Sequence, residues 1–235
     1  MLFIRIALMA IVSYIATNTI LANASYTTPI MYCFVAASCT ILASYLFAPT
    51  ELFSANIFPL FAWSLITAFV AHAIFILHTG LPLMGWRYNL LTAGVFIISF
   101  LLVCLHKACD SYVENRHITF CIVLTVVILF SSAPMWLGPI AYIHGQNEKL
   151  INTIINISPL SYLSVMADYD YLRSPWFYQN TPYGGLRFAY LTPALSTAYY
   201  LLCSGLAVIA CRRQKSLLQY KNTTSFLARL SSMQH

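Results

Sequence analysis

The sequence predicts an all-α, polytopic membrane protein with about six transmembrane helices. Three observations carry this. Sixty per cent of the 235 residues are hydrophobic and only 8% are charged, where a soluble domain carries about 25% charged residues. Six stretches approach the ~20 apolar residues that a bilayer core demands. Backbone groups inside a bilayer must be satisfied within the segment, which leaves helices as the natural spanning form for runs of this length.

The spans fall at about 4–23, 30–48, 57–78, 88–106, 119–143 and 191–211. The second is the shortest and is interrupted by Ser38, Thr40 and Ser44. The first also has the outline of a secretory signal peptide: an early Arg5, an apolar run and an Ala-x-Ala ending at Ala24. Its charged region is thin and its apolar run long, so it is read as a retained helix. The expected organisation is one transmembrane domain over 1–211, with an outer segment at 144–190 and a basic tail at 212–235.

Lys and Arg placement sets the expected orientation. With both termini cytoplasmic, Arg5, Lys107, Arg116, Arg212, Arg213, Lys215, Lys221 and Arg229 lie inside. Arg87, Lys149, Arg173 and Arg187 lie outside. The net charge of +6 is spread too thinly for a nucleic-acid patch and suits anionic lipid headgroups. The tail is read as an interfacial helix or a solvated end. The seven cysteines are odd in number, lack a C-x-x-C and sit mostly in apolar runs, so they read as packing residues.

The segment 144–190 departs from the rest. "LINTIINI" at 150–157 is too short to span. Ser158–Pro159 offers an N-cap followed by a proline at the first helical position, which predicts a short helix from Pro159 to about Arg173. Beyond it lie Trp176, Tyr178 and other aromatics, punctuated by Pro175 and Pro182. Tyr and Trp favour the headgroup zone. The segment is thus an amphipathic cap over the outer end of the bundle, with a ligand-binding lid as the sharper alternative. Arg173 and Arg187 are expected to pair with Asp168 and Asp170 or with lipid phosphates. Asp168 and Asp170 would converge as a carboxylate pair only in an extended segment, since residues two apart on a helix diverge.

His72 and His78 share the third span but stand about 120° apart around it. His78 and His144, at the outer ends of different spans, are the candidate pair for a metal or haem, though neither is assigned as a ligand. His106, Cys109, Asp110 and His117 match no standard zinc spacing. No P-loop, H-E-x-x-H or G-x-S-x-G motif occurs, so no catalytic residue is assigned and no cofactor is expected on this chain.

The order of features over 90–215 resembles the C-terminal half of a type-2 ABC exporter permease. "LLVCLHKACDSYVENRHITFCIVLTVVILFSSAPMWLGPIAYI" reads like its fourth helix, inner loop and fifth helix. "LINTIINISPLSYLSVM" reads like its outer re-entrant hairpin, turning at Ser158, Pro159 and Leu160, and "ALSTAYYLLCSGLAVIACRRQK" like its closing helix. The resemblance implies alternating access driven by a cytoplasmic ATPase subunit, a second permease subunit and ATP bound through the partner. It implies an ATPase contact between the second and third spans, where Glu51 is the charged residue, and a bacterial inner membrane as the setting. The competing reading is a non-catalytic subunit of a larger respiratory, photosynthetic or assembly complex. In it Asp168, Asp170, Arg173, Trp176, Tyr178 and Arg187 form a docking surface, since Tyr, Trp and Arg are enriched in interface hot spots.

Overall fold

A computed structural model describes residues 1–22, 28–49, 51–52, 56–80, 85–113, 115–136, 147–173 and 188–232, the last with side chains to Gln214. The described residues are all-helical, with no strand. The helices are α1 (Leu2–Leu21), α2 (Pro29–Leu46), α3 (Ile57–Thr79), α4 (Trp86–Asp110), α5 (Arg116–Ser132), α6 (Glu148–Ile157), α7 (Pro159–Ala167) and α8 (Pro193–Ser232). Six are long and apolar enough to cross a bilayer: α1 to α4, α5 with the 3₁₀ turn Ala133–Trp136, and α8 through Gln214. The chain is an integral membrane protein. Its lateral surface carries large apolar side chains, among them Phe3, Ile15, Leu129 and Leu202, an exposure that water would not tolerate over so wide an area.

The spans end where local chemistry stops them. Thr28 caps α2 by accepting from the Met31 N–H, with Pro29 at the first helical position. Asn115 caps α5 through the N–H groups of His117 and Ile118. Gly80 ends α3 at φ 60°, a left-handed turn that glycine adopts without strain. The fifth span, expected to reach 143, gives up its α-helix at Ser132. Pro134 enters a 3₁₀ turn there because it has no N–H to donate; residues 137–146 lie outside the described residues. The sixth runs past its expected end. α8 is 40 residues long, about 60 Å at 1.5 Å per residue and so about twice the bilayer core.

Ser38, Thr40 and Ser44 do not interrupt α2. Their hydroxyls donate back to the carbonyls of Phe34, Ala36 and Ile41, which hides each polar group inside its own helix. Ser13, Thr17, Ser64, Thr67 and Ser204 do the same. Among the described residues His72 Nε2, Ser99 Oγ and Thr119 Oγ1 are the exceptions, buried without a hydrogen-bond partner.

α4 is the axis of the bundle and packs against α2, α3, α5, α7 and α8. Towards the tail-bearing end, Met9, Leu60, Trp63, Val103, Cys104 and Ala207 form one core layer. Towards the other end a larger layer joins Phe34, Phe75, Val95, Tyr162, Leu163 and Met166, and a small cap of Ile151, Ile155 and Leu172 closes it. α1 belongs to this bundle. Met9 is fully buried, and Arg5 Nη1 donates to the Phe47 and Ala48 carbonyls at the end of α2.

The approach of α7 to α4 depends on Gly94. A Cβ there would lie 3.1 Å from Met166 Cγ and 3.4 Å from Leu163 Cδ2. Gly94→Leu is expected to lower stability by about 1–3 kcal/mol through overpacking. Gly94→Ala, against a flexible methionine and with better helix propensity, should stay within about 1 kcal/mol of the parent. Thermal denaturation of both proteins in the same detergent checks this ordering.

Candidate functional site

The outer segment is built on α6 and α7, which meet at Ser158 with a bend of 82°. Arms of ten and nine residues are about 15 and 13.5 Å long, so at this bend the pair reaches only about 21 Å end to end. That falls short of a ~30 Å hydrocarbon core.

The break is held from two sides. Ser158 is fully buried and stands at the N-cap position of α7. Its hydroxyl does not cap that helix. It donates instead to the Ser131 carbonyl on α5 at 3.3 Å. The Tyr200 hydroxyl on α8 donates to the Ile157 carbonyl at 2.8 Å. Tyr162 and Thr197 share a second α7–α8 bond at 3.0 Å. Pro159 starts α7 with no N–H to satisfy, and Leu160 is half-buried behind it. The break is thus tied to the fifth and sixth spans at once.

α7 ends earlier than the expected Arg173. Asp168 takes the left-handed conformation at φ 52° and ψ 41°, which a short polar side chain tolerates. The Tyr169 N–H then reaches back to the Ser164 carbonyl at 3.0 Å, as in a Schellman ending, and the Ser164 hydroxyl donates to the Tyr169 carbonyl. Because the chain turns here, the two aspartates separate. Asp168 faces Arg87 at the start of α4, 2.7 Å away and exposed on both sides, a pair of small energetic weight. Asp170 accepts from the Tyr190 hydroxyl at 2.7 Å and from the Arg173 backbone at 3.1 Å, with Arg173 Nε 3.3 Å from its other oxygen. The Arg173 guanidinium also lies 5.2 Å over the Phe188 ring. Arg173 therefore pairs with Asp170, whereas Asp168 pairs with Arg87, which the sequence reading did not propose. Arg187, Trp176 and Tyr178 lie outside the described residues.

A second clamp escaped the sequence reading. Asn152 and Asn156 stand four apart on α6, on one helical face. Asn152 Oδ1 accepts the Ala189 N–H at 2.9 Å, Asn156 Oδ1 accepts the Leu191 N–H at 2.8 Å, and Asn156 Nδ2 donates to the Ala189 carbonyl at 3.1 Å. Residues 189–191, which lead into α8, are thereby bound to α6. The signal was present in "LINTIINI": two amides at helical spacing in an otherwise apolar run.

Burial drives the tyrosines of this segment away from ionisation. The Tyr171 hydroxyl is pushed up to about 12, chiefly by burial. Tyr169 is raised by burial and secondarily by the Asp170 charge. Tyr190 is raised furthest, by burial and then by its bond to the Asp170 carboxylate.

The remaining candidates within the described residues form no metal cluster. Glu51 is exposed in the connection between α2 and α3, at the tail-bearing end. His78 is exposed and stacks face to face on Tyr32, and His144 lies outside the described residues. His106 is buried and shares a 2.7 Å bond with the Tyr45 hydroxyl, and His117 is exposed at the start of α5. Among the described residues no three His, Cys, Asp or Glu side chains come together as a metal site. His72 Nδ1 bonds Thr92 Oγ1 at 2.8 Å, and Thr92 spends its own proton on the Tyr88 carbonyl. Comparison with protein-family models, curated proteins and solved structures gives no match.

Two outcomes are expected. Asn156→Leu removes two of the three clamp bonds, about 1–3 kcal/mol of local stability. Amide exchange at Ala189 and Leu191 should accelerate while the core of α4 stays protected; exchange mass spectrometry reads both in one experiment. The Tyr171 shift predicts alkaline behaviour with a definite sign. Its folded value lies above the ordinary value near 10, so the protonated form is favoured by folding. The stability tied to the neutral hydroxyl is fully present below pH ~10 and is lost as pH rises towards ~12. The difference in tyrosinate absorbance between the parent and Tyr171→Phe should therefore titrate near 12; a difference titrating near 10 would show an exposed hydroxyl.

Proposed function

We propose that this chain is the membrane-spanning half of an ABC-type exporter, moving its substrate by alternating access driven by a separate cytoplasmic ATPase. The observation that supports this most is the bent α6–α7 pair between the fifth and sixth spans. The family resemblance calls for a re-entrant outer hairpin at that point in the order of helices, turning at Ser158, Pro159 and Leu160. The pair is too short across its bend to be a seventh span, so six crossings return the chain to its starting side. Eight of twelve basic residues then fall on the side of both termini, which is the cytoplasmic side by the positive-inside rule. The setting in this reading is a bacterial inner membrane.

The mechanism assigns roles to this chain's own residues. Glu51, between α2 and α3, faces the ATPase on the cytoplasmic side. Ties from the break to Ser131 and Tyr200 make the outer hairpin move with α5 and α8 as one body. A second permease subunit supplies the other wall of the path, and ATP is bound through the partner. In this reading Asp170, Arg173 and Tyr190 brace the outer gate.

The test is purification from native membranes in a gentle detergent, followed by mass spectrometry and ATPase assay. A stoichiometric P-loop ATPase with vanadate-sensitive turnover is expected. Glu51→Lys should weaken its retention about tenfold, the equivalent of ~1.4 kcal/mol. Recovery of redox or assembly subunits without an ATPase would end the exporter reading and favour an accessory subunit, with the outer segment as its docking face.

A further inference from the structure

We propose that a lateral cleft between α2 and α5 holds one acyl chain of a bilayer phospholipid. The inference needs only that the chain spans a membrane, and stands whether or not an ATPase partner exists.

The cleft follows from how the helices pack. α2 and α5 each lie against α4, and each touches α7, but they make at most marginal contact with one another. The gap between them has a volume of about 270 Å³. Ile98 and Leu102 of α4 form its floor, Leu42 and Ile128 stand at its walls, and Pro159 and Leu163 of α7 cover one end. The other end is closed by the buried Tyr45 ring, which stacks on Phe120 at 5.0 Å and bonds His106.

Chemistry limits the occupant to hydrocarbon. Three of the four hydroxyls bordering the cleft are already committed within the chain, Ser38 to the Phe34 carbonyl, Ser132 to the Leu129 carbonyl and Tyr45 to His106, which leaves the Ser131 hydroxyl in an otherwise apolar lining. A polar ligand would lose its water and gain little in return. Size limits it to a single strand. The lining runs from Ser38 to Tyr45 on α2 and from Leu124 on α5 to Met135 in the 3₁₀ turn that follows it, about 10 and 16 Å at ~1.5 Å per residue. A helix ~10 Å across would need about 1,000 Å³ over that length, several times the volume of the cleft. A transmembrane helix of a second copy or of a partner does not fit. The volume nevertheless exceeds the 150 Å³ apolar cavity that accepts a benzene ring, so left empty it would forfeit considerable dispersion contact. Leu42 and Ile128 are 42% and 54% exposed at the mouth, so the cleft opens sideways, where acyl chains are the surrounding medium.

The test uses the full chain in phosphatidylcholine–phosphatidylglycerol vesicles containing a phosphatidylcholine with a mid-chain diazirine. After photolysis, adducts are expected to concentrate on Leu42, Leu124 and Leu163 relative to the more exposed Ile15 and Leu202. Leu42→Trp and Ile128→Trp, both at the mouth and outside the core, should each lower the cleft adducts about tenfold and leave those on α1 and α8 unchanged. Labelling that simply follows surface exposure and ignores both substitutions would overturn the proposal. So would an unlabelled cleft in a chain that chemical cross-linking shows to be dimeric across α2 and α5.

Discussion

Backbone satisfaction in hydrocarbon is the constraint on which this structure turns. A helix that stops inside or at the edge of a membrane exposes carbonyls with no water to receive them, at several kcal/mol each. The α6–α7 break does this at Ile157. Tyr200 answers it from α8, and Ser158 uses its own hydroxyl to anchor the same turn to Ser131 of α5. The sharp turn can persist because two neighbouring spans supply the missing partners. In return it locks those spans to each other through the outer segment. Gly94 lets this happen, since α7 must lie close to α4 for Tyr162 to reach Thr197.

The same constraint explains how polarity is distributed. Many serines and threonines within the spans fold their hydroxyls back on their own helices, whereas Thr92 and Thr197 also bond across to His72 and Tyr162 and Ser99 and Thr119 are buried with no partner. Polar side chains reach across the bundle within the spans, as His72 does to Thr92, Tyr45 to His106 and Trp63 to the Ser44 carbonyl, and at its ends: Arg5 on the end of α2, Asn152 and Asn156 on residues 189–191, Asp170 on Tyr190. The interior is stabilised by close packing about α4, the ends by directed bonds.

The architecture was largely legible in the sequence. Helix class and the number of spans follow from length and hydropathy, because the bilayer leaves few alternatives. Ser158–Pro159 correctly marked the start of a new helix. What was misread depends on tertiary partners. Ser158 has the chemistry of a cap, yet its hydroxyl is turned towards α5, where it donates to the Ser131 carbonyl. Asp168 reads as one more helical residue until Arg87 and the left-handed turn take it out of the helix. Asn152 and Asn156 were visible as a pair, but their role needs the chain at 189–191, over thirty residues away. Glu51, His78 and the aromatic run around Trp176 gave composition without geometry, and composition alone does not bring side chains together.

One consequence joins the cleft to the break. Pro159 and Leu163 cover one end of the cleft, and Ser131, which receives the Ser158 hydroxyl, lines its wall. Anything occupying the cleft therefore presses on the residues that hold α7 in place. If α5 moves relative to α2, the cleft volume changes first and the Ser131–Ser158 bond is strained with it. An acyl chain would act as a soft filler that resists closure of the gap by the contacts it would lose. With an acyl chain in the cleft, as proposed, the outer segment and the surrounding lipid would meet at a single turn of chain. A change in bilayer composition would reach Asp170 and Tyr190 by that route, without any ligand binding at the outer surface itself.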